Sequence, residues 1–373
     1  MTESRDILLS LVRSALWDVP VDTVSSDIQW DKVCNLANQH TLIGLLADGV
    51  QKLPAGIRPE DKIISKLKSY AVRNIQAHAR IAEGYADTSN ALGQEGIFPV
   101  LLKGHGLARN YPNPMSRQCG DIDLYVGKDS YAKAVELCMD RFESDGHDAE
   151  NLIQYHFLNR GVTVELHKIV AVLPSVSRNR RFQTWTEECL AHSEVRKMMI
   201  DGAEVSLPPY RFDAVYVMQH AWHHFLNGGI GLRQICDWTM YMHRYHSEID
   251  VDVLHADLKS FGLLKVWHMF SWIAVNKLGL PPHECPLYSG KHSSDAERMM
   301  DIIWGDGNFG RSSERGSKRH KGYMIGKLHS MTATIKRYLR IIPVYPSHIL
   351  SAMTFYFFKG IYMFLRGCKI SDN

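Results

Sequence analysis

Apolar residues between Thr2 and Leu92 recur at intervals of three and four: Leu8, Leu9, Val12 and Leu16, then Val33, Leu36 and Ala37, then Ile63, Ile64, Leu67, Tyr70, Ala71 and Ile75. That spacing gathers them on one stripe of a helix and predicts a series of amphipathic helices. Pro54 and Pro59 interrupt the series, after which Asp61 to Leu92 reads as one long helix closing at Gly93. The period changes at Gly96. Ile97 to Leu102 is a short apolar run halted by Lys103-Gly104, the pattern of a buried strand entering a turn. His105 to Tyr111 predicts a short helix, and Tyr111-Pro-Asn-Pro-Met115 a loop, because two prolines bracket it. Asp121 to Val126 alternates polar and apolar residues, a second strand, and Gly127 turns the chain toward a helix over Tyr131 to Phe142. Strands are expected around Gln154 to Leu158 and Val162 to Leu166, joined by Asn159-Arg-Gly161.

Past Arg178 the pattern is mainly helical, with segments over Trp185 to Leu190, Phe212 to Leu226, Leu232 to Tyr245, Val251 to Phe261, Lys265 to Leu278 and His329 to Leu339. Trp304 to Gly322, rich in Gly, Ser, Arg and Lys, reads as a loop. The expected fold class is α+β. A small mixed-sheet core at 96–175 stands between an N-terminal helical region, 1–95, and a C-terminal mainly helical lobe, 176–373, that carries the basic loop 304–322.

Composition keeps this picture within ordinary globular proteins. At 373 residues, 45% hydrophobic and 22% charged, the chain suits two packed lobes. A net charge of +3, from 43 basic and 40 acidic residues, excludes the strong overall basic bias of a general nucleic-acid binder. Seven scattered cysteines with no CxxC argue against a disulfide framework or zinc ribbon, and for a reducing, cytoplasmic setting. The first twenty residues read as a domain helix, since no basic segment precedes an uninterrupted apolar block. His348 to Leu365 is apolar but carries Lys359 and Gly360, so a buried or interfacial helix is expected rather than a bilayer span; peripheral membrane contact of this tail stays open. From Asn308 to Tyr345, nine Lys and Arg face one acid, Glu314, and Phe309, Tyr323 and Tyr338 stand among them. This is a local positive field for a polyanion, or else a solvated basic face.

The chemistry concentrates on the second strand. Residues two apart on a strand project to one side, so Asp121 and Asp123 set two carboxylates together while Ile122 and Leu124 point inward. Two such charges call for a hard cation, Mg²⁺ with Mn²⁺ as the alternative, and Glu165 on a following strand offers a third carboxylate. Arg117, four residues before Asp121, either holds a phosphate group or serves as a structural salt bridge. Lys103 is either a phosphate contact or a surface lysine at a helix start, and Gly104 lets the backbone turn tightly beside a phosphate. Four residues separate His220 from His224, and likewise Arg233 from Asp237, so each pair shares a helix face; the histidines suit metal or phosphate contact or a satisfied core, and the second pair can join in an ion pair.

Leu101-Leu-Lys-Gly-His-Gly-Leu107, Tyr111-Pro112, Arg117-Gln-Cys-Gly-Asp-Ile-Asp-Leu124 and Val164-Glu-Leu-His167 together resemble a bacterial group of uncharacterised nucleotidyltransferases within the DNA polymerase β superfamily. The resemblance is most specific over residues 97 to 168 and continues more weakly through His220-Ala-Trp-His-His224, Leu232 to Asp237 and Gly307-Asn-Phe-Gly310. It implies that Asp121, Asp123 and Glu165 hold Mg²⁺, and that Lys103, Gly104, Arg117 and Gly120 face the nucleotide. His220, His224, Arg233 and Asp237 become candidate substrate contacts. The implied reaction moves a nucleoside monophosphate from an NTP to an acceptor hydroxyl, the acceptor being a small molecule, a sugar phosphate, a protein or an RNA. Two variants remain: an antitoxin-like enzyme acting on a protein or tRNA, and a non-catalytic module that keeps the fold. Where relatives carry Gly-Gly or Gly-Ser at the turn and a shorter gap to the acids, this chain has Lys103-Gly104 and the proline-containing loop.

Overall fold

A computed structural model describes residues 2–21, 27–145, 153–191, 194–200, 202–308 and 335–365. Three helices open the chain: α1 (Thr2–Trp17), α2 (Trp30–Gln39) and α3 (Ile43–Gln51). The long α4 (Asp61–Gln94) follows, as the apolar spacing predicted. The chain then enters β1 (Val100–Leu101), the one-turn α5 (His105–Ala108), β2 (Asp121–Tyr125) and α6 (Gly127–Arg141). Next come β3 (Glu143–Ser144), the hairpin β4 (Gln154–Asn159) and β5 (Val162–His167), and α7 (Val176–Cys189). A second hairpin, β6 (Arg196–Ile200) and β7 (Ala203–Leu207), precedes α8 (Tyr210–Asn227), α9 (Leu232–Tyr245), α10 (Val251–Phe261), α11 (Leu264–Leu278) and α12 (Ser293–Asp306). The last described helix is Pro346–Leu365.

The seven strands form one mixed sheet in the order β3-β4-β5-β2-β1-β7-β6, so the α+β expectation holds. β2 runs parallel to β5 and antiparallel to β1. The sheet is longer than the sequence pattern suggested, because β6 and β7 interrupt what read as a mainly helical stretch. Asp201-Gly202 between them is a strong hairpin signal, and Gly202 takes φ +87 there. Arg196, Lys197 and two methionines give the edge strand little apolar alternation, as edges commonly show, so the hairpin stands out only by its turn. The first strand is shorter than expected: Phe98 is exposed and Pro99 has no N–H to give a ladder, leaving only Val100 and Leu101 paired with β2.

Alternation splits the sheet residues between two apolar cores. Ile122, Leu124, Val164 and Leu166 pack with Ile81 and Tyr85 of α4 and with Ala134 and Cys138 of α6. On the other side Val100, Leu102 and Tyr125 join a larger core that unites α1 and α3 with α8, α9 and α11. The N-terminal and C-terminal helices thus share one interior: Trp17 donates its indole N–H to the Leu278 carbonyl at 2.6 Å, and Arg13 to that of Lys277.

Two readings of the basic stretch change. Trp304 to Asp306 ends α12 and is not loop. Arg337 is buried, donates to the Phe225 and Leu226 carbonyls and pairs with Asp306, which also takes Arg340. Tyr338, which stands among these cations in the sequence, is 2% exposed. Arg337 and Tyr338 belong to the core, Arg340 pairs from the surface, and the rest of the basic loop, 309–322, lies outside the described residues. No helix among the described residues is long and apolar enough to cross a membrane.

Candidate functional site

The parallel pairing of β2 with β5 aligns Asp123 with Glu165, so two carboxylates meet side by side on adjacent strands. Asp123 is 1% exposed. Its Oδ1 receives Lys103 Nζ at 2.8 Å and His167 Nε2 at 3.0 Å. The same imidazole nitrogen lies 3.5 Å from Glu165 Oε2, and His156 of β4 approaches that oxygen at 3.9 Å. Asp123 Oδ2 is buried and has no hydrogen-bond partner. A buried carboxylate oxygen without a partner is costly in an apolar setting, and a cation or a hydrogen-bond donor would satisfy it.

Burial alone would discharge both cations, but the acids prevent it. Burial lowers His167, yet Asp123 and Glu165 outweigh it and raise this imidazole to about 9. Lys103, against the same burial, is held above its ordinary range by Asp123, Asp121 and Glu165. Burial raises the Glu165 carboxyl, but the His167 hydrogen bond and the Lys103 charge bring it below its ordinary value. The site is therefore a compact alternation of charges, with three acids facing one lysine and one histidine.

Helix α8 covers this face. Tyr216, His220 and His224 stand four apart and share one side of it. His220 and His224 touch through their Nε2 atoms at 3.0 Å. Burial and then the Lys103 charge depress His220, and burial with the neighbouring His223 takes His224 to about 3, so both rings are neutral near pH 7. Tyr216, fully buried, carries a hydroxyl without a hydrogen-bond partner.

The remaining expected residues form a clamp beside the acid strand. Arg117 is 4% exposed and grips Asp237 with two bonds, Nε to Oδ1 at 2.7 Å and Nη2 to Oδ2 at 2.8 Å, while Tyr111 donates to Oδ1 at 2.7 Å. Of the two roles considered for Arg117, this geometry matches the salt bridge, with α9 as its partner rather than the carboxylate cluster. Arg233 does not take up Asp237 in an ion pair; its guanidinium donates to the Gln118 carbonyl at 2.6 Å. On α4, Asn74 and His78 donate to the Arg117 carbonyl, and on α3 Gly44 packs so closely on Ser116 that a Cβ would lie 2.1 Å from its carbonyl oxygen. The proline-containing loop is thus fixed from three helices, and it delivers Gly120 and Asp121 to the strand. Gly104, at φ +60 with its Cα side against the Asp121 carbonyl, supplies the turn that sets Lys103 over Asp123. Lys103 is accordingly an interior lysine and not a surface one.

The structure brings Lys103, Asp123 and Glu165 together, with Asp121 half-buried on the same strand and contributing its charge to Lys103. His167 was missed as a site residue, although Glu165-Leu-His167 repeats the two-residue spacing that singled out Asp121 and Asp123. His156 and Tyr216 were missed too; cross-strand register and helix packing place them, and neither leaves a short motif. Among the described residues, Asp123, Glu165 and His167 offer ligand atoms within 4.8 Å of one another, a set able to hold a divalent ion.

The mixed sheet thus aligns acids on neighbouring strands, next to a glycine turn and under a helical cover. The model of an uncharacterised nucleotidyltransferase family matches residues 26–279, more than half of the chain, and the chain belongs to that family. The match takes in α3, which packs on the loop before β2, as well as the sheet. Neither the curated proteins nor the solved structures gave a match.

Proposed function

We propose that this chain is an Mg²⁺-dependent nucleotidyltransferase that moves a nucleoside monophosphate from an NTP to an acceptor hydroxyl and releases pyrophosphate. The observation that carries the reading is Asp123: buried, aligned with Glu165, and left with one oxygen unclaimed. The donor set fits the ion, since carboxylate oxygens are the ligands hard divalent cations take. Asp121, Asp123 and Glu165 would hold Mg²⁺, or Mn²⁺ in its place, and the bound ion would neutralise triphosphate charge and acidify the acceptor hydroxyl.

Lys103 and His167 occupy Asp123 Oδ1 until substrate arrives. Lys103 then turns its ammonium from Asp123 to a phosphate oxygen, a short movement for a flexible side chain with three donors. The Gly104 turn lets the backbone approach the phosphates. Glu165, whose carboxyl is held below its ordinary range beside His167, either binds the ion or takes the proton from the acceptor hydroxyl as that oxygen bonds to the α-phosphorus and the α–β phosphoanhydride bond breaks. Neutral His220 and His224 and the Tyr216 hydroxyl give hydrogen bonds to substrate without adding charge. Arg117 and Asp237 act at one remove, holding the loop that presents Gly120 and Asp121.

The test is incubation of the protein with Mg²⁺, each labelled NTP in turn, and a cell lysate, followed by isolation of whatever becomes labelled. Covalent label in one component with matching pyrophosphate release is expected. Binding of NTP without pyrophosphate release, over a full set of acceptors, would contradict the reading and favour a binding module.

A further inference from the structure

A second cluster of metal-ligating groups lies apart from the acids, where three segments converge on the loop before β2. His78 comes from α4, His105 is the first residue of α5, and Cys119 stands two residues before Asp121. All three are buried, and each offers a ligand atom within 4.8 Å of the other two.

Hydrogen bonding decides what His78 presents. Its Nε2 lies 2.8 Å from the Arg117 carbonyl oxygen, which can only accept, so Nε2 carries the proton and Nδ1 keeps its lone pair. That Nδ1 is buried and has no hydrogen-bond partner. A histidine whose far nitrogen donates to a backbone carbonyl while the near one is bare is the usual arrangement around a metal, where the carbonyl fixes tautomer and ring orientation. Cys119 Sγ receives the Arg117 guanidinium at 3.0 Å. Such an N–H bond is compatible with a metal-bound sulfur, whose anionic charge it stabilises, and the guanidinium's own charge is met by Asp237.

We propose that His78, His105 and Cys119 form a site for a soft divalent ion of the zinc class, separate from the acid-strand site. Two imidazoles and a thiolate select such ions over Mg²⁺. Zinc bonds of about 2.0–2.1 Å to nitrogen and about 2.3 Å to sulfur would set the ligand atoms roughly 3.3–3.6 Å apart, a closure of no more than about 1.5 Å for atoms that lie within 4.8 Å of one another. The ion would tie α4, the turn after β1 and the entry to β2 to one point, and so fix Gly104 and Asp121 relative to each other. The site is independent of the nucleotidyl-transfer reading and survives if that reading fails.

The experiment is a titration of the chelator-stripped full chain with Co²⁺, followed by absorption. A thiolate-to-cobalt charge-transfer band in the near ultraviolet, saturating at one ion per chain, is expected in wild type and in Asp123→Asn, which disables the acid-strand site. Cys119→Ser should abolish the band while the far-ultraviolet circular dichroism is kept. No band in wild type, or a band undiminished in Cys119→Ser, overturns the proposal. Should Cys119→Ser not fold, His78→Asn decides: at least about a tenfold loss of Co²⁺ affinity supports the site, and unchanged affinity overturns it.

Discussion

Two buried ion pairs flank the acid strand, and they are built to opposite ends. In the Arg117–Asp237 pair a rigid fork meets a carboxylate with two bonds, Tyr111 adds a third, and both oxygens are engaged. In the Lys103–Asp123 pair a flexible point charge and His167 crowd one oxygen while the other has no partner. A saturated pair locks geometry; an unsaturated one keeps room for something else. Both pairs are largely withdrawn from solvent, so the difference belongs to the partners and not to the depth of burial. The clamp holds the loop and the open pair holds the chemistry.

Breaking the clamp should cost the most stability. Asp237→Ala strands a buried guanidinium and is expected to destabilise the fold by about 3–5 kcal/mol in denaturant unfolding, with Asp237→Asn milder because Tyr111 and one Arg117 bond persist.

The open pair should reveal itself through pH. His167 rises from 6.5 to about 9 on folding, so its contribution is fully present below pH 6.5 and is lost as pH climbs through 9. At 1.36 kcal/mol per pKa unit this is on the order of 3 kcal/mol at most. The melting temperature of the metal-free protein should fall along that limb, and His167→Gln should flatten it. Buried His40 and His348 give the opposite limb: each is depressed to about 4, burial being the main cause, so their contribution is present above pH 6.5 and lost as pH falls toward 4. His167→Gln should leave that acid limb unchanged.

The smallest effect separates competition from support. If Lys103 holds Asp123 in place of a cation, Lys103→Met should bind Mn²⁺ about tenfold more tightly, the worth of roughly 1.4 kcal/mol, while turnover falls. Weaker Mn²⁺ binding, measured by calorimetry, would make Lys103 a support and not a competitor.

Features carried by local spacing were legible in the sequence. The long α4, the β4–β5 hairpin, the alternating acids of β2 and Glu165 all follow from periods of 3.6 or 2. What depended on distant partners was not. Arg117 meets Asp237 across 120 positions of sequence, and nothing near either residue announces the other. Arg337 and Arg340 looked free because Asp306, which takes both, lies just outside the charge run and carries no motif. His78, His105 and Cys119 escaped a search for metal spacing because α4, α5 and a loop each contribute one residue. His167 differs from these: it follows Glu165 at the same two-residue spacing that sets Asp121 beside Asp123, so its place on that face is legible from the strand period alone.

Asp123 is the residue on which the proposed chemistry depends most. Pyrophosphate release should be measured with Mg²⁺, the preferred NTP and the labelled acceptor, for wild type and for Asp123→Asn confirmed as folded by its melting curve. Loss of release to the uncatalysed background in the variant is the predicted result; release at the wild-type rate would show that the acid strand does not carry the reaction.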